Sequence, residues 1–302
     1  MALKDIKAKI LATQRMNTVT RAMEAVSAAK MRKTQQAAFQ GRAYARAALS
    51  ILARLSGSNE AKSHPLTQKR EVKKTAIVVI TSDRGLAGAL NSSVTRAAQK
   101  ALEGRPLDSI QIFAFGKKGQ DFFSNRGYNV VMSKENREDN IPLNTMDELS
   151  QQLSNGFLSS EYDEVLAAYS DFRSTFEQVP TVRTLLPLSV ETVSEIVEHI
   201  RPARGKWSNE ISLEAPDAYS IEPSAEEVLT LLIPRLVAVS LYFMLLEAKA
   251  SEHSARMVAM KNASDKSKER TREFTRLYNK LRQAAITREV SEIISGREAL
   301  AT

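Results

Sequence analysis

Residues 1–40 and residues 235–295 contain neither glycine nor proline, and these two stretches limit what the chain can fold into. Inside a helix Gly costs about 1 kcal/mol and Pro about 3 kcal/mol relative to Ala, so their absence over such lengths is a helix signal. At about 1.5 Å of rise per residue, the second stretch alone reaches roughly 90 Å. No single compact domain has a core that deep, so a helix this long needs another helix against it. The partner on offer is the other terminus. The reading is α/β overall: a long antiparallel coiled coil of the N- and C-terminal helices, with the rest of the chain inserted between them.

The first helix is expected over about residues 2–55. Leu3, Ile6, Ile10, Met16, Val19, Met23 and Val26 follow steps of three, four or six and predict one packing stripe. Alanines at 28, 29, 37, 38, 43, 45, 47 and 48 then predict close approach of two helix axes, before Ser56-Gly57-Ser58-Asn59 ends the helix. The second helix is expected over about residues 234–299. Pro234 marks either a kink or the true start, because Ser224 can cap an earlier beginning. Ala248, Ser251, Ala255 and Ala259 form a small-residue face that matches the Ala-rich half of the first helix. Phe274, Leu277, Leu281 and Ala284 continue a bulkier seam. Val290, Ile293 and Ile294 lie beyond the reach of the first helix, and an apolar tip without an internal partner calls for an external one.

Between the helices, a polar connector over 62–74 leads into Thr75-Ala76-Ile77-Val78-Val79-Ile80-Thr81, a run suited to a strand buried on both faces. Further strands are expected at 109–115, 128–132, 164–169 and 179–188, the last at an edge because of Pro180. Helices are expected after residue 88, through Phe122 and Phe123, and over 146–158. This alternation describes a Rossmann-like α/β domain. The expected divisions are 1–57 and 223–302 for the two shaft helices, 58–74 for the connector and 75–222 for the inserted foot.

In such a domain, chemistry would sit in the loop after the first strand. Ser82-Asp83-Arg84-Gly85-Leu86-Ala87-Gly88 has two glycines but neither a dinucleotide fingerprint nor a P-loop ending, so it reads as a structural turn in preference to a ligand site, where Asp83 can cap the next helix and Arg84 can bind an anion or a nearby carbonyl. His64, His199 and His253 lack partners at metal-ligand spacing and read as surface or filler positions. No nucleophile motif appears, so the sequence supports no catalytic residue, cofactor or metal site.

With no cysteine, disulfides and thiolate sites are excluded. The N-terminus is amphipathic rather than a secretory signal, and no run of about 18 apolar residues suggests a bilayer span. Charge is distributed unevenly. Residues 1–55 carry eleven Lys or Arg against Asp5 and Glu24, while the middle of the chain is net acidic. A basic shaft attracts nucleic acid, anionic lipid or an acidic protein. Its cations surround the helices without interleaved aromatics, so nucleic acid is the less favoured partner.

Four motifs resemble the γ subunit family of F-type ATP synthases, in order and from end to end. They are Thr20-Arg21-Ala22-Met23-Glu24-Ala25-Val26-Ser27-Ala28-Ala29-Lys30, then Ser82-Asp83-Arg84-Gly85-Leu86-Ala87-Gly88, then Ala255-Arg256-Met257-Val258-Ala259-Met260-Lys261-Asn262-Ala263-Ser264-Asp265, and Ile286-Thr287-Arg288-Glu289-Val290-Ser291-Glu292-Ile293-Ile294-Ser295-Gly296. The resemblance implies a non-catalytic rotor shaft inside a ring of α and β subunits, with the insert at the foot beside the ε subunit and the membrane c-ring. It implies β-subunit contacts at Arg282, Gln283 and Met23, an apolar bearing at Val290, Ile293 and Ile294, and foot contacts with the c-ring at Tyr219 and Glu222. It also implies a peripheral membrane location on the cytoplasmic side of a bacterial inner or plasma membrane. The cysteine pair of chloroplast members is absent. No transit sequence precedes the first motif, which fits a bacterial or mature chain.

Overall fold

The computed structural model describes residues 3–55, 64–137, 142, 144–188 and 224–301. In order these form α1 (Leu3–Leu55), β1 (Thr75–Ile80), α2 (Leu90–Ala101), β2 (Ile110–Phe115), α3 (Lys117–Ser124), β3 (Asn129–Lys134), α4 (Thr145–Leu158), β4 (Glu164–Phe172), β5 (Gln178–Leu186) and α5 (Ala225–Ala301). The chain divides into two compact units, one of residues 1–27 with 257–302 and the other of residues 28–256.

In the larger unit the sheet order is β3-β2-β1-β4-β5, with β1 to β4 parallel and β5 antiparallel at the edge. Every residue of β1 is buried, as its β-branched run requires. Alternate β1 side chains serve opposite layers: Ala76, Val78 and Ile80 face α4 and α5, while Ile77 and Val79 face α2 and α3. Pro180 lies on edge strand β5 opposite Ser170, where its missing N–H costs the sheet little.

The long C-terminal helix begins at Ala225 and passes through Pro234 unbroken. Ser224 caps it by accepting a 3.2 Å hydrogen bond from the Glu227 N–H. Around the proline, Leu229, Ile233, Leu236 and Val237 are buried against the sheet, each contributing about 1.5–3 kcal/mol. Ser150 of α4 donates to the Pro234 carbonyl, and Arg235 pairs with Asp147 at 2.6 Å. Together these outweigh the roughly 3 kcal/mol that proline costs in a helix.

This part of α5 is apolar enough by composition to cross a membrane. Its side chains are instead divided between the sheet cluster and a second cluster, in which Val239, Phe243 and Leu246 meet Ala37 of α1. Of the small-residue face expected from the sequence, Ala248 and Ser251 serve the sheet, joined by Ser254. Ser251 donates to the Ser170 carbonyl at 3.1 Å and Ser254 to the Thr175 carbonyl at 2.7 Å. Small hydroxyl side chains here let the helix reach the backbone of β4 and the β4–β5 turn.

Candidate functional site

The first place to look for a site is the edge formed by the carboxyl ends of β1, β2 and β3, where open α/β sheets take their ligands. Thr75–Ile80 ends in Thr81 and Ser82, both buried. The Asp83 carboxylate accepts the Lys117 N–H at 2.8 Å and the Asn136 N–H at 2.8 Å. Asp83 therefore caps α3, not the next helix α2 as the sequence suggests. Helix α2 is held by Asn91, whose side chain exchanges hydrogen bonds with Ser82 at 3.0 and 2.8 Å.

A phosphate would need the amides at the α3 N-terminus, and an internal carboxylate already occupies one of them. Arg84 is exposed, and Leu86 beside it is exposed in a left-handed conformation at φ 63°. Among the described residues no group of His, Asp and Glu is arranged to hold a metal. His64 and His253 are both buried, so neither is a surface position; His199 lies outside the described residues.

The second place is the helical pair of the smaller unit. Buried or half-buried positions on α5 include 257, 260, 264, 267, 271, 274, 278 and 281, a heptad alternation, with 258, 259 and 263 half-buried beside it. On α1 the matching positions are 3, 6, 10, 13, 17, 20, 24 and 27, with Met23 half-buried beside Glu24. Beyond Ile10 this seam departs from the apolar stripe. Met16, Val19 and Val26 are 58%, 58% and 55% exposed, while Thr13, Asn17, Thr20 and Ser27 face inward. The stripe Met16-Val19-Val26 is thus not the packing seam, and Leu277 on α5 is likewise exposed.

The seam is apolar at Leu3, Ile6, Ile10, Met257, Met260, Phe274 and Leu281 and polar in between. Asn17 Nδ2 donates to the Ser264 carbonyl at 2.7 Å and to its hydroxyl at 3.0 Å, and the Thr271 hydroxyl donates to that of Thr13 at 2.9 Å. The Lys9 ammonium lies 5.8 Å from the centre of the Phe274 ring. Threonine hydroxyls satisfy themselves on carbonyls one turn back, as Thr20 does on Met16 at 2.9 Å. Along this polar stretch Met16, Val19 and Val26 are left outside, an apolar face that calls for an external partner.

Met23 is half-buried on α1, and Arg282 and Gln283 are exposed on α5. Val290, Ile293 and Ile294 are exposed, as a tip without an internal partner should be. Tyr219 and Glu222 fall within 189–223, outside the described residues. Asn17 and Ser264 went unnoticed in the sequence, although an Asn at a heptad seam position is the mark of a polar layer.

A helical pair with an outward apolar face, joined to a sheet domain whose strand-end loops bind one another, defines a protein that works by contact inside an assembly. Comparison with known proteins gives that class a family. A family model described as ATP synthase matches residues 2–300. The ATP synthase gamma chain of Roseiflexus castenholzii is 40% identical over 304 aligned positions, covering 99% of this chain and 98% of that one. Among solved structures, the central stalk/c-ring of Tetrahymena thermophila mitochondrial ATP synthase aligns with a TM-score of 0.58 and 27% identity, over 82% of this chain and 99% of that one. A chain of the Euglena gracilis mitochondrial ATP synthase in rotational state 3 shares the fold at a TM-score of 0.63 and 17% identity, over 99% of this chain and 94% of that one. The chain belongs to the ATP synthase gamma chain family and is thus a central-stalk, non-catalytic subunit of a membrane-associated complex.

Proposed function

We propose that this chain is the shaft through which proton-driven rotation of a c-ring drives ATP synthesis at β-subunit sites, and through which hydrolysis drives the reverse. The observation that carries this reading is the face that the helical pair leaves outside: Met16, Val19 and Val26 are exposed while Thr13, Asn17 and Thr20 take the middle of the seam. The two helices alone leave that apolar surface in water, and a surrounding ring of α and β subunits covers it. A shaft inside such a ring acts as a shared ligand, favouring a different conformation in each β subunit through contacts that differ from one β to the next. Every 1.4 kcal/mol of difference shifts a site's equilibrium about tenfold.

Arg282 and Gln283 are assigned to an acidic and polar loop of β, where a guanidinium can grip a carboxylate with two donors. Met23 is assigned to the same subunit, and Val290, Ile293 and Ile294 to an apolar bearing around the tip. The functional divisions are the shaft at 1–57 and 223–302, the connector at 58–74 and the foot at 75–222. The foot carries the ε subunit and reaches the c-ring through the region of Tyr219 and Glu222. The complex places the chain on the cytoplasmic side of a bacterial inner or plasma membrane, peripheral to the bilayer.

The test is ATP hydrolysis by purified α and β subunits at matched concentrations, with and without the chain. Adding it is expected to give a stable complex with sustained, cooperative turnover. Arg282→Ala with Gln283→Ala is expected to lower that turnover by roughly tenfold, the loss of one charge-assisted contact. A chain that neither joins the ring nor changes its turnover ends this reading.

A further inference from the structure

The strand-end edge described above is fastened to α5 by a buried lysine, although Arg84 and Leu86 at its rim stay exposed. Apolar docking of α5 on the sheet ends at Ala248, and from the next residue onward the helix is held by polar groups. Lys249 is 2% exposed, and its ammonium donates to the Asn136 carbonyl. It also lies 3.7 Å from the Glu252 carboxylate, which pairs with Arg256 at 2.7 Å. Arg256 in turn comes within 3.5 Å of the Gly85 carbonyl.

Asn136 is the hub of this arrangement. Its N–H goes to Asp83, its side-chain amide donates to the Thr81 carbonyl at 2.8 Å, and its carbonyl takes the lysine. Through Asp83 and Lys117 the same hub reaches the start of α3. The loops after β1, β2 and β3 are thus bonded to one another and fastened to α5 by one ammonium at Asn136 and one guanidinium at Gly85.

The two kinds of contact do different work. Apolar burial is non-directional and holds α5 against the sheet without fixing the strand-end loops. Charge-assisted hydrogen bonds to buried carbonyls have narrow geometry and fix which atoms face which. We infer that Lys249 is a positioning residue that latches the strand-end loops of the insert to the long helix, so that torque entering the insert moves α5 without the loops giving way. This rests on the rotor reading for its functional consequence, whereas the latch itself is a property of the chain.

The test compares Lys249→Met with the unaltered chain in the full complex, reconstituted in lipid vesicles, by hydrogen exchange and by proton pumping. Methionine keeps the stem and leaves Glu252 paired with Arg256, so no carboxylate is orphaned. The Asn136 and Lys117 amides are expected to lose about tenfold in protection as the loops open locally. Proton pumping per ATP hydrolysed is expected to fall about threefold while hydrolysis stays within about twofold, a split that a general loss of stability would not produce. Unchanged protection at both amides overturns the latch, and lost protection with an unchanged pumping ratio overturns its positioning role. Should Lys249→Met fail to assemble, Lys249→Gln, which keeps a donor without the charge, is judged on the same two readouts. If the complex with the unaltered chain does not pump at all, the rotor reading fails, and the exchange data still judge the latch.

Discussion

Replacing Glu247 by glutamine is expected to stabilise the chain at alkaline pH and to leave it nearly unchanged in acid. Glu247 lies on α5, and burial of its carboxyl pushes its pKa up to about 8, with the nearby Asp171 carboxylate adding to the rise. Arg183 from β5 and a hydrogen bond with Tyr169 from β4 oppose the rise without cancelling it. Asp171 is itself buried on β4, with Arg173 3.6 Å away. Two carboxyls therefore share one enclosed region, and the one on α5 keeps its proton.

The unfolded chain releases that proton near pH 4.5 and the folded chain only near 8, so between these values the folded state binds more protons. Stability contributed by this group is complete below the unfolded value, falls through the window and is gone above about 8. A shift of this size corresponds to a change on the order of 3–5 kcal/mol. Glutamine has the same shape and no proton to lose. Denaturant unfolding at about pH 5 should separate the two chains by less than about 1 kcal/mol, and at about pH 9 by several kcal/mol in favour of the variant. A constant difference across that range would show that the carboxyl is not held protonated.

The second large effect is expected at Gly116, which ends β2 and opens α3. Its φ is +98°, and a Cβ placed there would lie 2.1 Å from the Thr81 carbonyl oxygen. That oxygen also accepts the Asn136 side-chain amide, so the backbone cannot retreat without opening the strand-end hub. Gly116→Ala is expected to cost about 4 kcal/mol or to prevent folding of the larger unit. Gly127 is the control, with a φ of +78° and nothing within 4 Å of an added Cβ. Gly127→Ala should cost only about 1 kcal/mol, the strain of a left-handed side chain alone. Equal losses at the two positions would show that conformation, not the close approach to Thr81, makes Gly116 necessary.

The buried charges of α5 sit where the sequence was least readable. Glu247 and Lys249 look like ordinary helix charges within a long helical run. Their burial depends on β4 and on the loop at Asn136, which are 76 and 113 residues away in the chain. The resemblance, by contrast, was readable from end to end, because four motifs in fixed order leave little room for another family.

By itself the sequence determined the two long helices, the strands and their order along the chain, and the edge position of the Pro180 strand. Each of these is a local matter of breaker residues, β-branched runs and periodicity, and local preferences need no partner to be expressed. Only the tertiary structure decided which side of α1 is the seam. Met16, Val19 and Val26 make the stronger apolar pattern, yet Thr13, Asn17 and Thr20 take the inside. The α5 residues opposite them are Ser264 and Thr271, whose hydroxyls and carbonyls make polar bonds at short range. Which of two helix faces turns inward depends on the surface it meets, and a single sequence stretch carries no record of that surface.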